Sequence, residues 1–172
     1  MLVVFLGNPG TEYKSTRHNF GFIAAERMKI LESAKWVDKF HGKFAVLDFS
    51  GRRHCFLKPE TFMNLSGKSV QAAKSFFKLA ENEIIVVHDD IETGFGSVVL
   101  KEGGGFAGHN GLKSIANSIG SGNFKRLRLG IGRPQKGDVA SFVLGRFTPE
   151  ETAFIPGVVE TAEEKLLEVL ES

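Results

Sequence analysis

The sequence contains little cysteine and no long apolar run. Cys55 is the only cysteine among 172 residues, so no intramolecular disulfide and no thiolate cluster for zinc can form. No hydrophobic run approaches the roughly 18 residues that a membrane span needs. The apolar start, Leu2 to Leu6, has neither a basic n-region nor a cleavage site. We therefore expect an unexported, cytoplasmic protein that does not bind a membrane.

Net charge is also small, at +2, but it is unevenly distributed along the chain. Residues 101–146 carry eight Lys or Arg against two acidic residues, a local charge of +6. Residues 147–172 carry seven Glu against one Lys, a local charge of −6. One interpretation is a positively charged face for a polyanionic partner. The alternative is an ordinary mixed-charge surface.

Short apolar or alternating runs predict strands, and apolar residues at helical spacing predict helices between them. Ser15 or Thr16 can cap the first helix, and Thr148 with Glu151 forms a capping box for the last, which Pro156 should kink or interrupt. The alternation predicts a single domain over residues 1–172, a three-layer α/β/α architecture whose mixed, mainly parallel central sheet is flanked by helices. The predicted strands are 2–6, 43–49, 53–57, 83–87, 97–100 and 125–131, and the predicted helices begin near residues 16, 66, 110 and 149.

Polar clusters follow the predicted strands, where ligand sites of α/β sheets are found. His18 lies near the start of the first helix, where the helix dipole disfavours the imidazolium and favours a neutral ring that can act as a general base. Asp89, at the end of the central strand, is the best placed carboxylate to hold the other ring nitrogen. A capping or surface histidine and a turn aspartate are the alternatives. The clusters are 7–10 with 16–19, 58–64, 88–90 and 103–111.

Other chemistries have weaker support in the sequence. Gly103–Gly108 matches G-x-G-x-x-G, but basic residues stand where a dinucleotide site needs an acid; we interpret it as a loop whose N–H groups can meet phosphate. His88-Asp89-Asp90 could ligate a metal, although no histidine pair at i, i+4 spacing supports this. No G-x-S-x-G motif occurs, and Cys55 lies in a predicted strand. A histidine that activates water without metal or cofactor is the preferred interpretation.

Several sequence blocks occur in an order and spacing that are more specific than any one of them. They are LGNPG at 6–10, Tyr13, TRHNFG at 16–21, KP at 58–59 with TFMNLSG at 61–67, HD at 88–89, GHNGL at 108–112 and RLRLGIG at 126–132. Together they resemble the bacterial peptidyl-tRNA hydrolase family over nearly the whole chain. The resemblance implies a monomeric α/β enzyme, without cofactor or required protein partner, that hydrolyses the ester joining a peptide to the tRNA 3′ ribose.

The resemblance also implies roles for individual residues. His18 falls on the family's proton acceptor, Asp89 on the acid that keeps this histidine basic, and Asn8 on the residue that helps to distinguish N-blocked from free aminoacyl-tRNA. Asn64 or Asn110 could hydrogen-bond the attacking water or the oxyanion. The positions expected to contact the tRNA terminus or the peptide are Tyr13, Phe62, Asn64, His109 and Asn110, and the candidates for phosphate contacts are Lys101, Lys113, Arg126, Arg128 and Arg133.

The chain departs from the family pattern at several points. Phe5 stands where the family commonly has glycine, and Ala107 replaces a glycine of the glycine-rich loop. Residues 90–96 lack the expected leucine-proline character, and no longer basic tail follows Ser172, which puts tail contacts to tRNA in doubt. An RNA-binding module without catalysis and a metal-dependent hydrolase or nuclease using residues 88–90 remain the alternative functions.

Overall fold

The computed structural model describes residues 1–172 and contains one seven-stranded sheet in the order β2-β3-β4-β1-β5-β7-β6. The strands are β1 (Leu2–Phe5), β2 (Val37–Lys39), β3 (Gly42–Phe49), β4 (Arg52–Pro59), β5 (Ile84–Asp90), β6 (Val98–Glu102) and β7 (Lys125–Gly130). The helices are α1 (Phe20–Arg27), α2 (Ser66–Phe77), α3 (Asn110–Ile119), α4 (Val139–Leu144) and α5 (Pro149–Glu171).

The sheet is parallel in its centre and antiparallel at both edges. Strands β4, β1, β5 and β7 run parallel to one another. The β2–β3–β4 meander and β6 add antiparallel pairs at the two sides. The predicted mixed α/β sheet flanked by helices is confirmed, and the carboxyl ends of the central strands meet at one edge.

Each face of the sheet is covered by its own apolar core. One core of 22 buried residues packs α1 and α5 against one face, and a second core of 14 packs α2 and α3 against the other. Strand β1 is fully buried because alternate side chains enter opposite cores, which explains its uninterrupted apolar sequence. Phe5 belongs to the first core, so the residue that departs from the family pattern at this position packs in the interior.

Several local predictions were wrong. Neither Ser15 nor Thr16 caps α1, since the helix is preceded by a 3₁₀ turn, Arg17–Asn19, and the Thr16 hydroxyl donates to the Tyr13 carbonyl. Of the two effects predicted for Pro156, interruption of α5 is wrong, since the helix continues from Pro149 to Glu171 with its apolar face buried on the core, and a kink stays a prediction. Packing of that face outweighs the missing hydrogen bond. No helix, α5 included, has the length and apolar character required to cross a bilayer.

Candidate active site

His18 and Asp89 lie side by side although 71 positions separate them in the sequence. The Nδ1 atom of His18 is 2.9 and 3.1 Å from the two carboxylate oxygens of Asp89, and both side chains are buried. A carboxylate only accepts hydrogen bonds, so Nδ1 carries the proton and Nε2 keeps a lone pair. This is the proximity that the sequence predicted.

A close approach between helix and sheet brings the two residues together. Gly21, in the first turn of α1, packs so tightly that a Cβ atom there would lie 2.5 Å from the Leu6 carbonyl oxygen and 2.6 Å from that of Val87. Leu6, the residue after β1, continues the pairing with β5 because its amide donates to the Val87 carbonyl, and the Phe22 amide of α1 donates to the Leu6 carbonyl. The turn that carries His18 is therefore held directly above the end of β5, where Asp89 lies.

His109 is a second hydrogen-bond partner of Asp89. Its Nε2 atom lies 2.9 Å from a carboxylate oxygen of Asp89, and its Nδ1 accepts the backbone N–H groups of Gly111 and Leu112 as the N-cap of α3. The ring therefore carries its proton on Nε2, the opposite tautomer to His18. Both ring nitrogens of His109 are engaged inside the protein, although the residue lines a cavity together with His18, and its expected substrate contact stays a prediction. A histidine at the first position of a predicted helix was the available signal for this capping role.

The three ionisable groups shift one another's pKa values. Burial alone would lower the pKa of His18, but the charge and hydrogen bond of Asp89 outweigh it, so the pKa lies above the ordinary 6.5. Burial would raise the pKa of Asp89, but its two histidine partners hold that pKa well below the usual range. The helix dipole was expected to favour the neutral ring, but the net shift in the pKa of His18 is upward because of Asp89. His18 is a stronger base than a free imidazole, and it needs a higher pH to be neutral.

The proposed metal ligands at positions 88–90 do not converge. His88 donates from Nδ1 to the Asp89 carbonyl at 2.7 Å, and burial together with the nearby His109 lowers its pKa to about 3. The Asp90 carboxylate accepts from the Glu92 amide and the Thr93 hydroxyl. The potential ligand atoms that do come together, within 4.8 Å, belong to His18, Asp89 and His109. Their 2.9 Å N···O separations are hydrogen bonds, in which the histidine nitrogens carry protons.

His18 faces a cavity of about 260 Å³ that gathers most of the predicted substrate residues. The Asn8 side-chain oxygen accepts the Met63 amide at 2.8 Å, which leaves the Asn8 NH₂ group as a donor beside His18. Phe62 is 57% exposed, as an aromatic residue that stacks on a ligand would be. The cavity is lined by Asn8, Tyr13, His18, Phe62, Asn64 and Asn110, with Met63, Ala140, Val143 and Leu144.

A second cavity of about 340 Å³ lies on the other side of His18. It extends along Asp89 and the glycine-rich loop to Arg133, and it shares His18 and Asn110 with the first cavity. Helix α4 provides Ala140 and Val143 to both cavities. Sequence reasoning missed this wall, because a six-residue helix in which only Val143 is buried leaves almost no periodic signal.

The predicted phosphate contacts separate into different environments. Lys101 and Arg128 converge beside Gly104 in a basic cavity of about 370 Å³, which continues from the second cavity. Lys113 is exposed on α3, and Arg133 forms an ion pair with Glu92. Arg128 also lies 3.8 Å from Asp90.

The environment of Arg126 does not favour the phosphate contact expected from the sequence. Its side chain is fully buried, and its guanidinium donates to the carbonyl oxygens of Gly104, Gly105 and Gly122. The alternation of basic and apolar residues in β7 suggested a half-exposed strand, but the glycine-rich loop folds over Arg126. This arginine anchors the loop that borders both the second cavity and the basic cavity.

Comparisons with known proteins agree with the resemblance found in the sequence. The sequence pattern of the family described as "Peptidyl-tRNA hydrolase" matches residues 2–172. The peptidyl-tRNA hydrolase of Geotalea daltonii is 49% identical over 167 residues, which cover 94% of this chain and 87% of that protein. The corresponding protein of Pelobacter propionicus is 47% identical, with coverage of 96% and 86%.

The fold gives the same result. The crystal structure of peptidyl-tRNA hydrolase from Acinetobacter baumannii is similar with a TM-score of 0.91 at 38% identity, and the match covers 99% of this chain and 87% of that one. Sequence and structure therefore agree over nearly the full length rather than in a shared sheet alone. The chain is an enzyme of the peptidyl-tRNA hydrolase family.

Proposed function

We propose that this chain hydrolyses the ester of peptidyl-tRNA by general-base activation of water, without a metal ion. The observation that carries the proposal is the Nδ1 hydrogen bond from His18 to Asp89, which leaves a lone pair on Nε2 of a residue that lines two cavities. A nitrogen in that position can take a proton from a water molecule held beside an acyl ester. Such hydrolysis would recycle tRNA from stalled or aborted translation.

The reaction needs one proton to be taken up and later returned. His18 Nε2 accepts a proton from water as the water oxygen attacks the acyl carbon, and a tetrahedral oxyanion forms. Asp89 stabilises the imidazolium. When the bond to the ribose oxygen breaks, the same nitrogen returns the proton to the leaving 3′ oxygen. General-base assistance of this kind contributes a factor of about 10² to 10⁴ in rate.

Side-chain amides around the cavity provide donors for the developing oxyanion and for the substrate. The NH₂ group of Asn8 is fixed by the Met63 contact, and Asn64 and Asn110 line the same cavity. One well-placed oxyanion donor contributes about 10² to 10³ in rate. We assign Asn8 to discrimination of N-blocked from free aminoacyl esters, and Tyr13 and Phe62 to apolar contacts with the terminal base or the peptide.

Binding of tRNA relies on charge rather than on base sequence. Lys101 and Arg128 beside Gly104 form the central phosphate contact, and Lys113 and Arg133 extend it. Phosphate contacts supply affinity without reading bases, which suits an enzyme acting on many tRNAs. We further propose that residues 1–172 act as one domain, as a monomer, in the cytoplasm.

The test uses N-acetyl-aminoacyl-tRNA and unblocked aminoacyl-tRNA, each with and without EDTA. We expect release of the blocked amino acid at the same rate with and without the chelator. Absence of release would indicate an RNA-binding protein without catalysis, and loss of activity with EDTA would indicate a metal-dependent hydrolase. Equal cleavage of the two substrates would remove the discriminating role of Asn8. Size-exclusion chromatography tests the monomer.

A further inference from the structure

Arg17, the residue before His18, is a charged side chain with little contact with solvent. Its Nη2 atom donates to Glu151 at 2.9 Å, and its Nη1 atom donates to the Phe142 carbonyl at 3.3 Å. The guanidinium carbon lies 4.2 Å from the centre of the Phe142 ring and 5.9 Å from that of Phe147. The turn that bears His18, the helix α4 and the first turn of α5 therefore meet at one planar cation.

Backbone contacts also join the turn that bears His18 to the end of α4. The Arg17 amide donates to the carbonyl of Gly145 at 2.9 Å, and Thr16 forms an isolated antiparallel bridge with Arg146. A Cβ atom on Gly145 would lie 3.1 Å from Nη1 of Arg17, so the guanidinium packs closely against this segment. Both the main chain and the side chain of Arg17 thus hold the end of α4.

Helix α4 has few other anchors. Only Val143 of its six residues is buried, and its N-cap bond, from the Ser141 amide to Asp138, is local. Yet α4 forms a wall of both cavities that flank His18, through Ala140 and Val143. The distance between that wall and the His18 ring depends on whatever holds the helix.

We propose that Arg17 is a positioning residue that fixes α4 relative to His18 and so sets the width of the cleft in which the ester lies. The consequence for turnover rests on the proposed function, whereas the anchoring of α4 does not. A displacement of about 1 Å in an active site can lower the rate about 10²-fold. Lysine in place of Arg17 keeps the charge opposite Glu151 but lacks the planar group that stacks on Phe142 and forms two hydrogen bonds.

The experiment compares Arg17→Lys with two variants of its partners. Glu151→Gln weakens the ion pair while a glutamine at this position still completes the capping box of α5. Phe142→Leu removes the stacked ring and keeps an apolar side chain. Arg27→Lys, the same exchange at an exposed residue at the end of α1, is the charge-matched control. Each variant is measured by amide hydrogen exchange over residues 139–144 without substrate, and by kcat and KM on N-acetyl-aminoacyl-tRNA across pH.

For Arg17→Lys we expect faster exchange in residues 139–144, kcat lowered about tenfold or more, and KM within about threefold of the parent. The pH midpoint of kcat should stay unchanged, because lysine retains the positive charge beside His18. Phe142→Leu should show smaller effects in the same direction, Glu151→Gln smaller still, and Arg27→Lys none.

Unchanged exchange of α4 in a folded Arg17→Lys protein would overturn the proposal. A shifted pH midpoint would also overturn it, because the charge is retained in this variant and Arg17 would then act on the His18–Asp89 pair rather than on α4. If Arg17→Lys does not fold, the proposal is overturned when residues 139–144 of both Phe142→Leu and Glu151→Gln exchange their amide hydrogens at the rate of the parent protein. An inactive parent protein with the expected exchange pattern would refute the proposed function and leave the anchoring intact.

Discussion

Replacing Asp89 by asparagine tests the assignment of protons in the site. Asparagine offers one acceptor oxygen and one donor NH₂ group, whereas the Asp89 carboxylate accepts from both His18 and His109. His109 must keep its proton on Nε2, because its Nδ1 accepts from the N-terminal amides of α3. The asparagine oxygen therefore faces His109 and its NH₂ group faces His18. That contact forces the His18 proton onto Nε2, the nitrogen that should remove a proton from water.

The loss should approach the whole contribution of the general base. That contribution is about 10² to 10⁴, and the same exchange in the serine-protease triad lowers kcat about 10⁴-fold through the wrong tautomer. We expect kcat of Asp89→Asn to fall about 10³-fold with KM within about threefold, because the proposed phosphate contacts lie elsewhere. Asp48→Asn, the same exchange at an exposed residue of β3, should match the parent protein.

A double variant separates the tautomer argument from a loss of charge alone. Removing His109 frees the asparagine oxygen to accept from His18 Nδ1, so Asp89→Asn with His109→Ala should be about tenfold more active than Asp89→Asn alone. Single-turnover kinetics on N-acetyl-aminoacyl-tRNA measure both. The reasoning would be refuted if Asp89→Asn kept kcat within about threefold, or if the two substitutions simply multiplied their losses.

Other predictions concern pH and the glycine-rich loop. The kcat should rise with pH to a plateau with its midpoint above 6.5, because His18 acts as the neutral ring and Asp89 raises its pKa; a midpoint below 6.5 would contradict this. The depressed pKa of His88, about 3, means that its unfolded form takes up a proton first as pH falls below 6.5, so urea unfolding should show stability declining by a few kcal/mol toward pH 3. That part of the decline should vanish in His88→Gln. Arg126→Met leaves glycine carbonyls without donors and should destabilise the protein by several kcal/mol, since each buried unpaired group costs about 1 to 3 kcal/mol; a melting temperature close to that of the parent would exclude this anchoring role. Ala107 has a φ of +47°, so Ala107→Gly should raise stability by up to about 1 kcal/mol, the relief of strain exceeding the added entropy of the unfolded chain; a lower unfolding midpoint would contradict it.

The sequence predicts the core of the site because that core follows from the sheet. The parallel strands β1 and β5 end at the same edge of the sheet. Asp89 lies at the end of β5, and His18 lies in the segment that connects β1 to α1. The second partner of Asp89 was not predictable in the same way. It depends on the exact start of α3, and a shift of one residue would turn His109 away from the carboxylate.

Two other features depend on packing between distant segments. The burial of Arg126 requires a glycine-rich loop to close over it, and alternation within β7 alone favours exposure for such a residue. The wall formed by α4 depends on contacts with Arg17 rather than on its own periodicity. Tertiary contacts of this kind override the local pattern from which secondary structure is predicted.

The opposite tautomers of the two histidines restrict how protons can travel. Because Nδ1 of His109 accepts from the first amides of α3, this ring cannot take a proton from Asp89 without breaking its N-cap bonds. Under the proposed mechanism, Nε2 of His18 therefore both takes up the proton from water and returns it to the leaving oxygen. The ring would then end each turnover neutral and ready for the next water molecule.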